Sequence, residues 1–287
     1  MLNMTWWNCR LAPPAAGASR YPITPAFDEI IRSLLQDRNS DIVGLCEVDD
    51  TDIEHIEQLL QRPALSHFKV ISLYKKGRSI DDLCLIYNTT RLVPRGTPQY
   101  ANARDTTYDT WLKAGVFLCL ELHGLGPVFI GLSHWQSRNT LPEGSPSRFK
   151  LGVALNATVT KIRRENPGAP IILCGDYNDE PFDPSVVHGL GATRDVSLLK
   201  TRKNALFNPF WPLMGSPSCS ELPPGTFLTS GKGVSSLLMF DHMMLCSAAL
   251  RCWKVADRAV LNEIPAKEWK KVSDHYPIFL TLKSATP

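Results

Sequence analysis

A chain of 287 residues can hold one large domain or two small ones, and 44% hydrophobic with 21% charged residues is a globular composition with a sizeable core. The formal net charge of +3 argues against a strongly basic nucleic-acid-binding protein but permits a local basic face. No apolar stretch approaches the roughly 20 residues of a membrane-spanning helix.

Three segments are predicted to be helices and eight to be strands, from the spacing of their apolar residues. The second helix opens with Thr51 and Glu54, which have the spacing of a capping box. In chain order the predicted elements are helix 25–38, strand 41–48, helix 51–61, strands 68–74, 82–88, 114–122 and 127–135, helix 145–166, and strands 170–176, 238–245 and 276–282.

Several of the predicted strands are almost continuously apolar, so both faces of their sheets should be covered. A parallel sheet with helices on both faces would satisfy this, and so would two stacked sheets flanked by helices. The connections YKKGRSIDD (74–82) and HGLGP (123–127) are short enough to require antiparallel pairing. They favour two stacked mixed sheets over a doubly wound fold.

Three stretches rich in proline, glycine and serine are predicted to be long loops, namely 10–22, 138–147 and 208–225. None of them is long or polar enough to be an interdomain linker. Residues 1–287 are therefore predicted to form a single domain.

The eight cysteines include no CxxC pair, and five of them lie inside apolar, strand-like runs. Such cysteines behave as small core residues rather than as zinc ligands or a disulfide framework. The N-terminal segment MLNMTWWNCR lacks the charged and apolar regions of a signal peptide. We therefore expect a cytoplasmic protein with no membrane span.

Polar side chains stand at or near one end of five predicted strands. Burying each one singly would cost on the order of several kcal/mol unless it were paired, hydrogen-bonded or bound to a metal. A divalent cation would offset this cost and the repulsion between neighbouring carboxylates. The oxygen donors Glu47, Asp176, Asp274 and Asn8 would select Mg²⁺ or Mn²⁺ over zinc. The strand-end residues are Glu47, His134, Asp176 with Asn178, Asp241 with His242, and Asp274 with His275.

Each of these residues has a simpler explanation when it is taken alone. Glu47 could be a solvated acid at a strand end, and His134 a core or rim histidine with satisfied hydrogen bonds. GDYND (175–179) could be a turn whose side chains bond to their own backbone, and SDH (273–275) a simple cap. Five such coincidences at five strand ends favour a shared site.

The motifs that carry these residues resemble the endonuclease/exonuclease/phosphatase superfamily. They are WWN (6–8), CE (46–47), SHWQSR (133–138), GDYND (175–179), FDHMML (240–245) and SDHYP (273–277). The superfamily includes deoxyribonuclease I, abasic endonucleases of the exonuclease III type, inositol polyphosphate 5-phosphatases and neutral sphingomyelinases. The resemblance implies an α+β fold, a four-layer α/β/β/α sandwich of two mixed, mainly antiparallel sheets flanked by helices. It also implies Mg²⁺ or Mn²⁺ dependence and cleavage of phosphate esters.

The resemblance further implies the residues around the metal and the attacking water. Asn8, Glu47 and Asp274 match the positions that surround the metal. Asp176 matches the aspartate that orients or deprotonates the water, and Asn178 matches the amide that holds a phosphate oxygen. The sequence leaves open whether Asp176 or the histidine at the reaction centre takes the proton.

Two histidines complete the implied site. His275 matches the histidine at the reaction centre, and Asp241 matches the carboxylate that orients it. His134 matches the second histidine, which donates hydrogen bonds to the phosphate. It should have a carboxylate partner of its own, and strand register favours Asp82 over Asp81. Imidazoles, an amide and a metal aimed at the phosphate oxygens suit the negative charge that develops during in-line attack.

Substrate-binding residues are harder to assign. Arg138 could clamp a phosphate through two hydrogen bonds or be an exposed loop arginine. Strand alternation turns His242 away from Asp241, which indicates a structural role. Aromatic side chains interleaved with cations would suit single strands or splayed bases, although tryptophans more often fill a core. The candidates, which include Trp135 as a substrate contact, are Trp6, Trp7, Trp111, Trp135 and Trp211 with Arg10, Arg20, Lys75, Lys76, Arg78, Arg104 and Lys113.

The predicted function is a metal-dependent phosphodiester hydrolase, a nuclease that acts on DNA or RNA by in-line attack of an activated water. A phosphatase or phosphodiesterase of a small or lipid phosphate is the alternative. A non-catalytic binding module is disfavoured because every implied metal and histidine position is filled. Nucleic acid is the expected partner, and the sequence indicates neither protein partners nor an oligomeric state.

Overall fold

The computed structural model describes residues 1–14, 19–76, 81–214, 225–231, 234–262 and 271–285. The predicted loops 10–22 and 208–225 extend beyond these ranges, and Arg78 and Cys219 lie outside them. The described cysteines are all free thiols, as predicted. No helix within the described ranges is long and apolar enough to cross a bilayer.

The helices are α1 (Pro25–Gln36), α2 (Asp50–Leu60), α3 (Pro146–Glu165), α4 (Leu198–Thr201), α5 (Trp211–Met214) and α6 (Ser247–Cys252). The strands are β1 (Leu2–Asn8), β2 (Ile42–Cys46), β3 (Phe68–Ser72), β4 (Leu83–Asn88), β5 (Leu92–Asp105), β6 (Thr110–Leu122), β7 (Gly126–His134), β8 (Ile171–Asp176), β9 (Ala192–Thr193), β10 (Leu206–Phe207), β11 (Phe227–Gly231), β12 (Val234–Leu238), β13 (Asp241–Leu245), β14 (Trp253–Val260) and β15 (Ile278–Ser284).

Two large mixed sheets form the centre of the fold. One has six strands in the order β14-β15-β1-β2-β4-β3, and the other has seven in the order β5-β6-β7-β8-β13-β10-β9. Most pairs are antiparallel, whereas β1 with β2, β7 with β8 and β9 with β10 are parallel. The two short connections join antiparallel neighbours, β3 with β4 and β6 with β7, which confirms the prediction of stacked mixed sheets.

The side chains of β1 show how the layers are held together. Leu2, Met4 and Trp6 point into the core that the two sheets share, and Trp7 points into a second core beneath α1 and α2. Successive side chains of a strand face opposite ways, so one strand serves both cores. Helix α3 packs on the seven-stranded sheet through β5 and β6. The result is the four-layer α/β/β/α sandwich that the resemblance implied.

The capping box of α2 differs from the predicted one. Asp49 caps the helix and accepts from the backbone N–H of Asp52 at 3.1 Å, while Asp52 accepts from the N–H of Asp49 at 3.0 Å. Thr51 and Glu54 therefore do not form the box. The helix dipole places partial positive charge at the N-terminus of α2, and this charge stabilises the two carboxylates of the capping box.

The sequence prediction did not include three long strands, β1, β5 and β14, and it treated parts of β12 and β13 as one strand. β5 and β14 lie at sheet edges and expose much of their length, so neither contains a continuous apolar run. β5 also contains Pro94 and Pro98, which edge strands tolerate because one side of the backbone is unpaired. The predicted strand 238–245 is divided, because β12 ends at Leu238 and β13 begins at Asp241.

Candidate active site

The seven-stranded sheet brings three of the predicted site residues together at one end. His134 ends β7 and lies opposite Asp176, which ends the parallel strand β8. Asp241 begins β13 and lies opposite Asp176 on its other side, because β13 runs antiparallel to β8. Gly175 allows this close packing, since a Cβ there would lie 2.5 Å from the carbonyl oxygen of Ser133.

The six-stranded sheet supplies the residues on the facing side. Asn8 ends β1 opposite Cys46, the last residue of the parallel strand β2, and Glu47 follows directly. Asp274 and His275 precede β15, which runs antiparallel to β1. Glu47 has a φ of 59°, a left-handed conformation that strains a side chain with a Cβ and is more common at functional sites.

His275 is held by a buried carboxylate that a tryptophan holds in turn. Its Nδ1 donates to Asp241 Oδ2 at 2.8 Å, and Trp6 Nε1 donates to Asp241 Oδ1 at 2.8 Å. Burial opposes the charged imidazolium, but the charges of Asp241 and Asp176 outweigh it and raise the pKa of His275 to about 10. The ring is therefore fixed in orientation and positively charged at neutral pH.

His134 forms a second pair of the same kind. Its Nδ1 donates to Asp82 Oδ2 at 2.7 Å, so the partner is Asp82 rather than Asp81. Its Nε2 lies 3.6 Å from Glu47 Oε1. Burial again opposes the charge, and the carboxylates of Asp82 and Glu47 raise the pKa of His134 to about 10. Both histidines thus use Nδ1 for a carboxylate and have Nε2 at the centre of the site.

Asn8 joins two carboxylates between these histidines. Its Nδ2 donates to Glu47 Oε1 and to Asp176 Oδ2, both at 3.0 Å. Burial raises the pKa values of Glu47 and Asp176. Glu47 Oε2 is buried, and no hydrogen-bond partner lies near it among the described residues. An orphaned carboxylate oxygen beside other oxygen donors fits a hard divalent cation.

Asp274 and Asp241 are two further candidate metal ligands. Asp274, a predicted ligand, pairs with the guanidinium of Arg10. Asp176, Asp241 and His275 also present atoms within 4.8 Å of one another. Both oxygens of Asp241 already accept hydrogen bonds, however, so this triad is better suited to orienting His275 than to coordinating an ion.

Asn178 does not continue the strand geometry of Asp176. β8 ends at Asp176, and Asn178 adopts a left-handed φ of 50°. Its backbone N–H donates to Asp176 Oδ1 at 2.8 Å, and its Nδ2 donates to the carbonyl of Trp135 at 2.9 Å. The residue lines the cavity while its own turn fixes the position of the Asp176 carboxylate.

Arg138 and Trp135, which the sequence suggested as substrate contacts, are both hydrogen-bonded to groups of the protein itself. Arg138 donates to the carbonyl of Asn178 at 3.0 Å and to carboxylates of Glu143 and Asp183, each at 2.7 Å. Its guanidinium therefore braces the Asn178 loop and does not line the cavity. Trp135 is fully buried, and its Nε1 donates to the carbonyl of Ala114 at 2.9 Å.

Fewer of the predicted aromatic and basic side chains are available to a substrate than the sequence suggested. Trp6 and Trp7 are fully buried, like Trp135, so none of the three can stack on a base. Trp211 packs beside Arg194, whereas Trp111 is exposed. Several predicted cations are ion-paired, namely Arg10 with Asp274, Arg20 with Asp49 and Asp52, Arg104 with Asp109, and Lys113 with Asp81.

His242 occupies the structural position that strand alternation predicted. It is fully buried, its Nε2 donates to the carbonyl of Met239 at 2.6 Å, and its ring lies 5.4 Å from that of Tyr177. Burial lowers its pKa to about 4. His242 is therefore neutral at physiological pH and lies behind the site.

Three side chains that support His275 could not be recognised as such from the sequence. Trp7 Nε1 donates to the carbonyl of His275 at 3.0 Å, and Ser273 Oγ accepts from its N–H at 3.0 Å while donating to the carbonyl of Asn8 at 2.8 Å. The ring of Phe227 lies 4.8 Å from the imidazole. The adjacent tryptophans of WWN, alternating across a strand, were the only signal in the sequence that could have indicated these roles.

These groups open into a cavity of about 600 Å³. Its lining includes Glu47, His134, Asp176 and His275, together with Arg10, Trp111 and Lys113. This volume is in the range of sites that take a small ligand or one segment of a larger one.

Comparison with known proteins supports this description. A model described as "Endonuclease/Exonuclease/phosphatase family" matches residues 23–263. A search of curated protein sequences finds no match.

Three similar solved structures illustrate the fold. The human Nocturnin catalytic domain is 18% identical with a TM-score of 0.66, covering 98% of this chain and 94% of that one. The Bacteroides thetaiotaomicron mannosyl-6-phosphatase Bt3783 is 15% identical with a TM-score of 0.67, covering 99% and 100%. D. rerio TDP2 complexed with a single-strand DNA product is 16% identical with a TM-score of 0.67, covering 99% of each chain.

Proposed function

The chain belongs to the endonuclease/exonuclease/phosphatase family, and from this membership we propose that it is a metal-dependent phosphodiesterase that cleaves DNA or RNA. One observation carries the proposal. His134 and His275 are each held by a buried carboxylate, and both line one cavity with Glu47 and Asp176. Two cationic imidazoles facing a carboxylate suit the attack of a water on a phosphate ester.

The proposed roles follow from charge. In-line attack places negative charge on the non-bridging phosphate oxygens and on the leaving oxygen. His134 and His275, with pKa values raised to about 10, are protonated at neutral pH and can donate from Nε2 to those oxygens. A protonated histidine cannot accept the proton of the water. We therefore assign that proton to Asp176, whose raised pKa makes it a stronger base than an ordinary aspartate.

We propose that Asn8, Glu47 and Asp274 hold the divalent cation. When bound, the cation would polarise the phosphate and offset its developing charge. Asn178 is proposed to orient the substrate through its place on the cavity wall. Arg10 pairs with Asp274 and would have to share that carboxylate with the cation.

A phosphatase of a small phosphate ester is the second candidate. The cavity of about 600 Å³ is large enough to enclose a small substrate. The mannosyl-6-phosphatase among the similar structures shows that this fold can have such an activity. The two candidates share the same catalytic groups and differ in what occupies the cavity beyond the phosphate.

A substrate panel tests the proposed function. The purified protein is incubated with plasmid, single-stranded DNA, RNA, bis-p-nitrophenyl phosphate and p-nitrophenyl phosphate, each with Mg²⁺, Mn²⁺, Ca²⁺ or Zn²⁺. We expect hydrolysis of a polynucleotide and of the diester with Mg²⁺ or Mn²⁺. Turnover of the monoester alone would support the phosphatase, and no turnover of any substrate would refute both candidates.

Binding of the cation can be measured without activity. Mn²⁺ at about 100 times its dissociation constant should raise the melting temperature by roughly 5 °C, because it binds only the folded protein. Glu47→Gln should remove this increase. It should not lower the melting temperature of the metal-free protein, because it replaces a buried carboxylate whose Oε2 has no described partner.

Glu57→Gln is the matched control, since Glu57 is exposed on α2. This variant should keep the full metal-dependent increase. If Mn²⁺ raises the melting temperature of the Glu47→Gln protein as much as that of the wild type, Glu47 does not bind the cation.

A further inference from the structure

A β-bulge lies in β6 beside the cavity. Ala101 of β5 pairs with Gly115 and the next residue, Asn102, pairs with Lys113, so Ala114 has no partner on β5. The carbonyl of Ala114 instead accepts from Ser133 Oγ at 2.8 Å and from Trp135 Nε1 at 2.9 Å. Bulges re-aim the side chains next to them. These two hydrogen bonds tie the bulge to the strand that ends in His134.

The residues just before the bulge face the cavity. Trp111 and Lys113 lie two apart on β6 and both line the cavity wall, while Leu112 between them is fully buried in the core. Lys113 Nζ lies 3.2 Å from Asp81 Oδ1, which fixes the cation on that wall. Strand alternation therefore places the indole and this ion pair on the same face of β6.

Trp111 is unlike the tryptophans that support the site. It is 59% exposed, whereas Trp6, Trp7 and Trp135 are fully buried. Within the described part of the chain, no aromatic ring or cation stacks on it. A large exposed aromatic ring on the wall of a polar cavity is typical of a ligand-binding surface.

We propose that Trp111 is the stacking surface for a nucleobase that is joined through its sugar to the scissile phosphate. A flat, exposed indole that lines the same cavity as His134 and His275 complements a planar base joined to a phosphate. The substrate is then a nucleoside phosphodiester rather than a sugar or lipid phosphate. This inference rests on the proposed phosphodiesterase function and deepens it.

Two esters that differ only in the base isolate the effect of Trp111. They are thymidine 5′-(p-nitrophenyl phosphate) and its abasic counterpart, 1,2-dideoxyribose 5′-(p-nitrophenyl phosphate). Stacking of one base is worth about 1–3 kcal/mol, so Trp111→Ala should lower kcat/KM for the thymidine ester roughly 10-fold or more. The abasic ester should be hydrolysed at an unchanged rate, and Trp111→Phe should restore most of the preference for thymidine.

Tyr108→Ala is the matched control. Tyr108 is 69% exposed in the turn of the same hairpin but does not line the cavity. This variant should keep the wild-type ratio between the two esters. Equal losses on both esters in Trp111→Ala, or no loss on either, would overturn the inference.

A binding measurement separates this inference from the proposed function. The wild-type protein should bind thymidine 5′-monophosphate in calorimetry, and Trp111→Ala should weaken that binding roughly 10-fold. The substrate panel decides the phosphodiesterase proposal, and the calorimetry decides the role of Trp111 even if neither ester is hydrolysed. Absence of binding to the wild-type protein, or equal binding by the variant, would refute a nucleobase at Trp111.

Discussion

Replacing His275 with alanine is expected to reduce kcat by about 10²- to 10⁴-fold on every substrate that the protein hydrolyses. The substitution removes an imidazolium that Asp241, Trp6 and the backbone below hold in one orientation. KM should change much less, because this charge is needed most when negative charge develops on the phosphate. Steady-state kinetics on the best substrate of the panel, with circular dichroism to verify folding, measures the effect.

Asp241→Asn provides a graded version of the same prediction. An asparagine keeps the shape of the side chain but has only one acceptor oxygen for the two N–H groups of Trp6 and His275, and it removes the largest of the charges that raise the pKa of His275. The fraction of protonated histidine should then decrease within the neutral range, so the variant should lose activity at a lower pH than the wild-type protein does. A pH profile identical to that of the wild type would contradict the role of Asp241.

His123→Ala serves as the control for both variants. His123 is exposed in the turn between β6 and β7, at the end of these strands opposite to His134. Its kinetics should equal those of the wild type. If His275→Ala keeps the wild-type kcat, His275 has no role in the reaction.

Replacing Arg148 with methionine is expected to destabilise the fold by about 3–5 kcal/mol, because it removes the nearest cation from the buried carboxylate of Asp179 and leaves only Arg138, at 3.6 Å, to offset its charge. Arg148 is fully buried in α3, and its Nε donates to Asp179 Oδ1 at 2.8 Å. Its other nitrogens donate to the carbonyls of Gln136 at 2.7 Å and of Asn178 at 2.6 Å. Urea denaturation, in which the midpoint decreases at constant slope, gives the loss.

Two further variants show that the ion pair is the cause. Arg164→Ala on the exposed face of the same helix should stay within about 0.5 kcal/mol of the wild type. Adding Asp179→Leu to Arg148→Met should recover part of the stability, because the second change removes the uncompensated charge. A loss below about 1 kcal/mol in Arg148→Met would show that this network contributes little to the fold.

Arg148 also shows why part of the site could not be predicted. It lies in the first turn of α3, where a basic residue ordinarily faces water, and nothing in its neighbours indicates burial. Its acceptors come from the segments after β7 and β8, 7 to 31 residues away. The bond from Trp6 to Asp241 spans 235 residues. Local periodicity contains no information on contacts of such separation.

Other site features were predictable because chemistry and strand geometry act locally. The polar residues at the strand ends were identified from their position after apolar runs, and the parallel pair β7–β8 does bring His134 next to Asp176. Asp82 was preferred over Asp81 from strand register, and it is the residue that contacts His134. Arg138 and Trp135 illustrate the opposite case, because the direction and burial of their side chains depend on the loops packed around them.

The sequence by itself determined the family, the two-sheet architecture and the set of polar residues that gather at one end of it. Apolar runs, short hairpin connections and ordered motifs are properties of neighbouring residues, so they can be recognised without knowledge of the fold. Only the tertiary structure decided that Arg148 and Arg138 brace the Asn178 loop. It also decided that Trp6 and Trp7 support His275 from opposite faces of β1. Among the candidate tryptophans, Trp111 alone is exposed on the cavity wall. The physical reason is that burial and hydrogen-bond direction depend on which distant segments pack against a side chain.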